Sequence, residues 1–332
     1  MSTGKYTLVT GGAGFIGSAL VHALNQEGMT DIVISDILGT DEKFKNLIPL
    51  KYADYLEADD LIDLLEEEPD YLDQFDTIFH LGACSATTEK DASYLIRNNY
   101  EYTKVLANLS IERGIRFVYA SSAATYGDGS QGMDDRLEDL HSLCPLNMYG
   151  YSKHMFDLYA QRMGWLDEIV GLKYYNVFGP NEAHKGDMRS LVAKSYEQIQ
   201  ATGEIGLFKS YHPDYTDGNQ MRDFLYVKDA VAMTLHLART PDANGLFNLG
   251  SGQANTWNTL AEAIFAALEL EPNIRYIDMP DQLKGKYQYY TCADTGKLRE
   301  TGYTNEGYTL QDSVKDYVKN YLVTGKHLGQ EG

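Results

Sequence analysis

Residues 8–17 of this chain read LVTGGAGFIG and decide its fold class, because an apolar run leads directly into a glycine-rich turn. The apolar run predicts a strand, and Ile16–Glu27 predicts an amphipathic helix. The missing side chains of Gly11 and Gly14 let backbone N–H groups approach a pyrophosphate, and Gly17 lets the helix lie close to the strand. The segment therefore predicts a dinucleotide-binding strand, turn and helix, with the helix N-terminus facing the phosphates.

The next predicted strand ends beside an acidic residue, Asp36. An acid at this point of such a fold normally accepts a hydrogen bond from the ribose 2′-hydroxyl of NAD and repels the 2′-phosphate of NADP. Lys43 and Lys51 lie just downstream, and either could pair with a 2′-phosphate. These residues alone leave both NAD and NADP open.

Working outward, short apolar runs alternate with helical patterns through residues 1–175, which is typical of a parallel α/β sheet. The predicted strands are Tyr6–Thr10, Asp31–Ser35, Thr77–Leu81, Arg116–Ala120 and Ile169–Tyr175, and a further helix is predicted over Ser93–Arg113. The acidic segment Glu57–Asp76 is interpreted as a solvated helix face before a strand.

The second half of the chain predicts a smaller α/β lobe that binds substrate. We expect Asp223–Val227 and Gly245–Gly250 to return to the main sheet, helices over Thr256–Leu268 and Leu310–Leu322, and a ligand-proximal loop over Lys209–Gln220. The expected fold is α/β, a Rossmann-type doubly wound parallel sheet with this lobe attached. The predicted domains are residues 1–175 with about 221–250 for the dinucleotide, and residues 176–220 with 251–332 for the substrate.

Composition excludes several classes of function. The 332 residues carry 28 Lys and Arg against 48 Asp and Glu, a formal charge of −20, so nucleic-acid and membrane partners are not expected. Three cysteines without C-x-x-C spacing, and histidines without paired spacing, predict neither a disulfide framework nor a metal site. With no long apolar segment and no signal peptide in view, we expect a cytoplasmic protein.

A candidate catalytic set follows the fourth predicted strand. Ser122 ends that strand, and Tyr149 and Lys153 are spaced to share one face of a helix. A neighbouring ammonium and a positive nicotinamide ring would lower the pKa of a phenol towards neutrality, so Tyr149 can act as a general base. Ser122, or alternatively Ser121, would hold the substrate oxygen, and Lys153 would also bond the nicotinamide ribose.

Together these motifs make the sequence resemble the extended short-chain dehydrogenase/reductases that modify nucleotide sugars. The family's landmarks are residues 11–17, Ser121–Gly127, Tyr149–Lys153, Asn176–Pro180 and Arg222–Val227. Within that family the chain is most similar to the ADP-heptose 6-epimerases, on residues 82–89, 145–153, 182–186 and 281–288. The resemblance covers essentially the whole chain. It implies oxidation of ADP-glycero-manno-heptose at C6 to a ketone and re-reduction, with NADP as cofactor, NAD as the alternative, and ring-shaped homo-oligomers, commonly pentamers.

The resemblance also implies a set of binding residues. For the cofactor they are Gly11, Gly14, Phe15, Ile16, Gly17, Asp36, Ile37, Lys43, Leu81, Gly82, Ala83, Cys84, Ser85, Asn98, Lys153, Val177 and Lys185. For the substrate they are Ser122, Asn176, Asp187, Lys194, Phe208, Lys209, Ser210, Tyr211, Arg222 and Tyr287. Ile37, Leu81 and Ala58 depart from the family's usual residues, all at the adenosine end of the pocket.

Inversion of a carbinol carbon through a ketone needs proton transfer at two positions of the oxygen, because the ketone must turn before the hydride returns. The resemblance offers Lys185 for the second position. The alternative is that Lys185 only neutralises the ADP pyrophosphate.

Three other functions can be compared with this one. A 4,6-dehydratase places an Asp-Glu pair where this chain has Ala123 and Ala124, so no acid is available there to expel water. A UDP-hexose 4-epimerase shares the Ser, Tyr and Lys but has no need of Lys185 with its neighbours His184 and Gly186. A non-catalytic cofactor sensor usually loses the Tyr or the Lys, and both are present.

Overall fold

The structure is a computed structural model that describes residues 5–284 and 287–330. Residues 285 and 286, part of the 281–288 stretch that supports the resemblance, lie outside the described residues. Within the described ranges the strands are β1 (Tyr6–Thr10), β2 (Ile32–Asp36), β3 (Asp54–Glu57), β4 (Phe75–His80), β5 (Arg116–Ser122), β6 (Val170–Tyr174), β7 (Asn176–Phe178), β8 (Ile205–Phe208), β9 (Met221–Tyr226), β10 (Gly245–Leu249), β11 (Ala254–Thr256) and β12 (Ile274–Ile277).

The helices of the same ranges are α1 (Phe15–Gln26), α2 (Ala58–Glu67), α3 (Ala92–Leu95), α4 (Tyr102–Glu112), α5 (Met148–Arg162), α6 (Leu191–Thr202), α7 (Val227–Arg239), α8 (Trp257–Ala267), α9 (Asp281–Lys284), α10 (Gly296–Glu300) and α11 (Leu310–Tyr317). Short 3₁₀ turns include Lys43–Asn46 and Ala183–Met188, and π-helical turns cover Ile96–Glu101 and Val318–Leu322.

Seven parallel strands of the described chain form the main sheet, in the order β10-β6-β5-β4-β1-β2-β3. Successive side chains face opposite sides: Leu8 and Phe117 pack with the helices of one face, and Val9 and Val118 with those of the other. The strand order reverses between β1 and β4, and ligands of such sheets bind beyond the carboxyl ends of the strands at this point. The predicted fold class is confirmed.

Two small sheets complete the architecture. Strand β9 pairs in parallel with β7 and antiparallel with β11, and β8 pairs in parallel with β12. The expectation that Asp223–Val227 returns to the main sheet is therefore wrong. The strand that pairs with β6 at the edge of the main sheet is β10, as predicted for Gly245–Gly250. Because β10 occupies that edge, β9 pairs with β7 outside the main sheet.

One predicted helix is interrupted. Ser93–Arg113 forms α3, a π-helical turn and α4 rather than one continuous helix. The interruption coincides with Asn99, whose amide bonds both the N–H and the C=O of Cys84, at 2.8 and 2.9 Å. The wide turn thus holds that side chain against the segment after β4, and such bulges are frequent at functional sites.

Candidate active site

A cavity of about 940 Å³ opens at the carboxyl ends of the central strands. Its walls contain many of the residues predicted from the sequence: Gly11, Gly14, Phe15, Ile16, Gly17, Asp36, Lys43, Leu81, Gly82, Ala83, Cys84, Ser85, Ser122, Tyr149, Lys153, Asn176, Val177, Lys185, Lys194, Phe208 and Tyr287. An adjoining pocket of about 270 Å³ is lined by Ile37 and Asn98 and shares Asp36 and Lys43 with the cavity. The structure thus brings most predicted binding residues into one continuous space.

The glycine turn is shaped for a ligand that needs close backbone approach. Gly11 has a φ of 69°, and a Cβ there would lie 2.6 Å from the nitrogen of Gly82 on the neighbouring strand end. A Cβ on Gly17 would lie 2.0 Å from the Gly11 oxygen. Gly14 stands at the N-cap of α1 and has no side chain with which to bond the first-turn amides. These residues fit the pyrophosphate of a dinucleotide.

Asp36 at the end of β2 braces this turn. One carboxylate oxygen accepts hydrogen bonds from the amides of Ala13 and Gly14, at 2.9 and 3.1 Å. The other accepts from the Ile37 amide at 2.7 Å and forms an ion pair with Lys43 at 3.0 Å. The carboxylate charge at the ribose end is therefore matched by a lysine that also lines the cavity.

The predicted catalytic residues meet at the end of β5. Asn147 caps helix α5 by accepting a hydrogen bond from the Gly150 amide, which places Tyr149 in the first turn and Lys153 one turn later. The Tyr149 phenol and the Ser122 hydroxyl both line this cavity and are close enough to interact. Burial raises the pKa of Tyr149 above its usual value, and the interaction with Ser122 opposes that rise. Burial lowers the pKa of Lys153 to about 8.

The Ser121 side chain bonds a residue of helix α5, and this distinguishes its role from that of Ser122. Its hydroxyl donates at 2.8 Å to Asp157, a carboxylate buried on α5 one turn beyond Lys153. Asp157 also accepts from Tyr119 and pairs at 2.9 Å with Lys173 of β6. Of the two serines, Ser122 is the one that meets the tyrosine.

Lys185 lines the cavity from the 3₁₀ turn after β7. Its ammonium sits over the ring of Phe15, 5.3 Å from the ring centroid, so it faces the glycine turn. Burial lowers the pKa of Lys185, and the charge of Glu182 opposes the change. An amine whose pKa is lowered in this way can exchange a proton nearer neutrality than a surface lysine. The structure thus places a second titratable group, carried by a different element from α5, on the wall of the same cavity.

Arg222 of β9 packs against two aromatic side chains. Its guanidinium lies over the rings of Tyr287 and Trp257, 5.0 and 5.8 Å from their centroids. The Trp257 indole donates to the Tyr287 hydroxyl at 2.8 Å, which fixes the two rings against each other. Both rings line the cavity, whereas Arg222 stands behind them.

Besides Arg222, four predicted substrate residues do not line the cavity. Asp187 accepts a hydrogen bond from Lys194 through its backbone oxygen. Lys209 and Tyr211 both bond Asp278, and Ser210 bonds Asp217 and the backbone of His212. They follow β8 or precede α6 near the mouth of the site, and their roles as substrate contacts stay predictions.

The sequence reasoning missed several residues of the site. Trp257 and Phe224 line the cavity, Asp41 and Tyr94 line the adjoining pocket, and Asn99 bonds Cys84. Asn99 adjoins the predicted Asn98, so the Asn-Asn pair was a usable signal. The isolated aromatic residues Trp257, Phe224 and Tyr94 gave no such sequence signal, because their positions depend on how separate segments of the chain pack together.

The part of the chain that the structure describes contains neither a candidate membrane span nor a candidate metal cluster. None of the helices in 5–284 and 287–330 has both the length and the apolar character needed to cross a membrane. In the same ranges we found no cluster of three or more His, Cys, Asp or Glu residues that could hold a metal ion.

Comparison with known proteins agrees with this geometry. The family model described as the NAD dependent epimerase/dehydratase family matches residues 7–250, and the chain belongs to that family. It is 54% identical over 315 residues to the ADP-L-glycero-D-manno-heptose-6-epimerase of Nitratidesulfovibrio vulgaris, covering 95% of this chain and 97% of that protein.

Two solved structures are similar over nearly the whole chain. The ADP-L-glycero-D-manno-heptose-6-epimerase of Helicobacter pylori has a TM-score of 0.77 at 27% identity, covering 95% of each chain. A UDP-N-acetylglucosamine 4-epimerase from Methanobrevibacter ruminantium has a TM-score of 0.80 at 25% identity, covering 97% of this chain and 99% of that one. The fold is thus shared by epimerases that act at different sugar carbons.

Proposed function

We propose that this protein epimerises ADP-D-glycero-D-manno-heptose to ADP-L-glycero-D-manno-heptose at C6 of the heptose. The observation that carries the proposal is the placement of two acid–base groups, Tyr149 on α5 and Lys185 on the turn after β7, around one cavity that also contains the glycine turn. The relatives named for this activity, similar over almost their full length, supply the identity of the sugar.

Oxidation begins with removal of the C6 hydroxyl proton. Tyr149 accepts this proton, and the Ser122 hydroxyl holds the same substrate oxygen. Lys153, buried beside the tyrosine, stabilises the phenolate and lies where the nicotinamide ribose is expected. When bound, a nicotinamide cofactor supplies an acceptor for the C6 hydride and returns the hydride afterwards.

Inversion requires the ketone to turn, so that its oxygen points to another part of the cavity. Lys185 lines the same cavity from a different element and lies beside Phe15. Its ammonium donates the proton that the new C6 oxygen needs, and its amine takes the proton in the reverse reaction. Tyr149 on α5 therefore does not have to transfer protons at both positions of the C6 oxygen.

We further propose NADP as the cofactor. The support is Lys43, whose ion pair with Asp36 compensates the carboxylate charge that would repel a 2′-phosphate. Equilibrium binding should give a lower Kd for NADP than for NAD, and Lys43→Met should weaken NADP binding more than NAD binding. Lys45→Met, on the same turn but paired outward with Glu42, is the matched control. Equal effects of Lys43→Met on both nucleotides would favour NAD.

The resemblance supports a ring-shaped homo-oligomer, commonly a pentamer. The mass of the purified protein, measured by sedimentation, tests this.

Conversion of the nucleotide sugar tests the reaction directly. The purified protein should turn ADP-D-glycero-D-manno-heptose into its C6 epimer, separated by chromatography, without added oxidant and without net build-up of reduced cofactor. UDP-glucose, incubated in parallel, should be left unchanged. Production of UDP-galactose would establish a 4-epimerase instead, and stoichiometric reduction of the cofactor would establish a simple dehydrogenase.

A further inference from the structure

Residues 327 and 328 pack near the glycine turn, against Asn46 and Asn181. Along the chain they are far from every motif identified in the sequence. Leu328 is 1% exposed, and its amide donates to the Asn181 side-chain oxygen at 3.0 Å. His327 Nδ1 lies 2.8 Å from Asn46 Oδ1. Asn46 and Asn181 are themselves buried, at 1% and 4% exposure. We refer to Asn46, Asn181 and His327 as the Asn46 cluster.

The orientation of the Asn46 amide is determined by its neighbours. Its nitrogen donates to the backbone oxygens of Ala13 and Asn181, at 2.9 and 3.1 Å. The reverse orientation would set an oxygen against two oxygens, so Oδ1 must face His327. His327 is therefore the donor, through its Nδ1–H. One side chain thus joins the glycine turn, the segment after β7 and the 327–328 segment.

Asn181 begins the segment that carries Lys185. Its backbone has a φ of 75°, in the left-handed region that non-glycine residues seldom adopt. The side-chain nitrogen of Asn181 donates to the Ser18 hydroxyl on α1 at 2.9 Å, and its backbone carbonyl accepts a hydrogen bond from the Asn46 side chain. Conformations of this kind persist when their surroundings hold them.

The segment between Asn181 and Lys185 is held at its other side as well. The Lys185 amide donates to the Glu182 carbonyl at 3.0 Å. The Glu182 carboxylate is 1% exposed and accepts hydrogen bonds from the amide and hydroxyl of Ser190, which caps α6. His184 Nδ1 approaches the Asn46 amide nitrogen at 3.4 Å. The backbone of Lys185 therefore lies between two buried polar anchors.

We propose that the Asn46 cluster positions Lys185, so that His327 controls the geometry of the second acid–base group from outside the cavity. The proposal rests on the proposed role of Lys185. Its distinctive consequence is that loss of the His327 hydrogen bond acts on the chemical step through Lys185, and only weakly on substrate binding.

A pair of substitutions at His327 tests this. His327→Leu removes the donor, whereas His327→Asn places an amide N–H near the position of Nδ1. With ADP-D-glycero-D-manno-heptose, His327→Leu should lower kcat by roughly two- to ten-fold, the range expected for one hydrogen bond, with KM nearly unchanged. His327→Asn should restore most of the rate. In a Lys185→Met background, His327→Leu should change the residual rate by less than about two-fold.

The accessibility of the Lys185 amine gives a readout that does not need the sugar. Acetic anhydride labelling of the holoenzyme, followed by peptide mass spectrometry, should modify Lys185 faster in His327→Leu than in the wild type, with exposed Lys315 as internal reference. If the wild type converts no ADP-heptose but this labelling difference is present, the proposed function fails and the positioning role stands. The positioning role is overturned if labelling and kcat are unchanged in His327→Leu. It is also overturned if His327→Leu lowers kcat equally in both backgrounds, or if His327→Asn behaves like His327→Leu at the wild-type melting temperature.

Discussion

At the scale of single residues, the positions of the catalytic set were predictable and their electrostatics were not. Spacing alone places Tyr149 and Lys153 on one helix face, because a helix repeats after about four residues. The pKa of Tyr149 depends on how deeply the residue is buried, and burial raises that pKa instead of lowering it towards neutrality. In the proposed mechanism, positive charge from Lys153 and from the bound cofactor would have to offset this rise in the pKa.

Tyr149→Phe should lower kcat by roughly 10²–10⁴-fold, because it removes the proton acceptor and leaves the ring in place. Tyr151→Phe is the matched control, since Tyr151 lies on the same helix and is 47% exposed. Steady-state turnover and the thermal unfolding temperature should be measured for both variants. Wild-type turnover in Tyr149→Phe would make Tyr149 a packing residue.

Lys185→Met should lower kcat strongly while KM changes little, because an acid–base group acts on the chemical step. Lys315→Met, which changes an exposed lysine on α11, should leave both constants unchanged. If instead KM rises and kcat is retained, Lys185 is a phosphate ligand, and the two-position mechanism is wrong.

At the scale of elements, a buried ion pair joins the parts that carry the catalytic side chains. Asp157 of α5 bonds Ser121 of β5 and Lys173 of β6, and Lys173 also donates to Thr125. This network ties the helix of Tyr149 to the strand of Ser122. The sequence does not reveal it, because Asp157 and Lys173 become neighbours only through the β5–β6 register. The position of β9 was mispredicted for a similar reason: pairing between strands depends on which edge is already occupied.

Asp157→Asn should destabilise the protein by about 3–5 kcal/mol, because it leaves the Lys173 ammonium buried without its counter-charge. The double variant Asp157→Asn with Lys173→Met removes both charges and should recover a large part of that loss. Urea unfolding monitored by circular dichroism gives the free energies. A double variant as unstable as the single one would show that the charge pair is not the cause.

At the scale of the whole molecule, the predictable parts are those governed by local periodicity. The strand–turn–helix of residues 8–17 and most strands of the main sheet follow from local hydrophobic pattern and glycine spacing. The lobe does not, since Arg222, Trp257 and Tyr287 meet from separate segments. The docking of His327 on Asn46 is equally invisible in the sequence, because neither residue belongs to a recognisable motif.

Acid should destabilise the fold through histidines buried in the neutral form. Burial lowers the pKa of His80 to about 3 and that of His184 to about 4, against about 6.5 for an ordinary histidine. The unfolded chain therefore binds more protons than the folded chain below pH 6.5, and the free energy of unfolding falls as the pH falls.

Replacement of His80 measures this contribution. Between pH 6.5 and 5, the free energy of unfolding of the wild type should fall by about 1–2 kcal/mol more than that of His80→Gln. His141→Gln, at an exposed position, should keep the wild-type dependence. Parallel pH dependences for the wild type and His80→Gln would contradict the assignment.

The hydrogen bond between Asn46 and His327 spans 281 positions of the chain. A ribosome makes the glycine turn early and residue 327 late, and chains generally begin to fold from their N-terminal side while synthesis continues. A nascent chain can thus form the glycine turn well before His327 is available to bond Asn46 and support the Lys185 segment. The two halves of the proposed site are therefore completed at different times: the glycine turn can form before residue 327 has been made, whereas the hydrogen bond from His327 to Asn46 can form only afterwards.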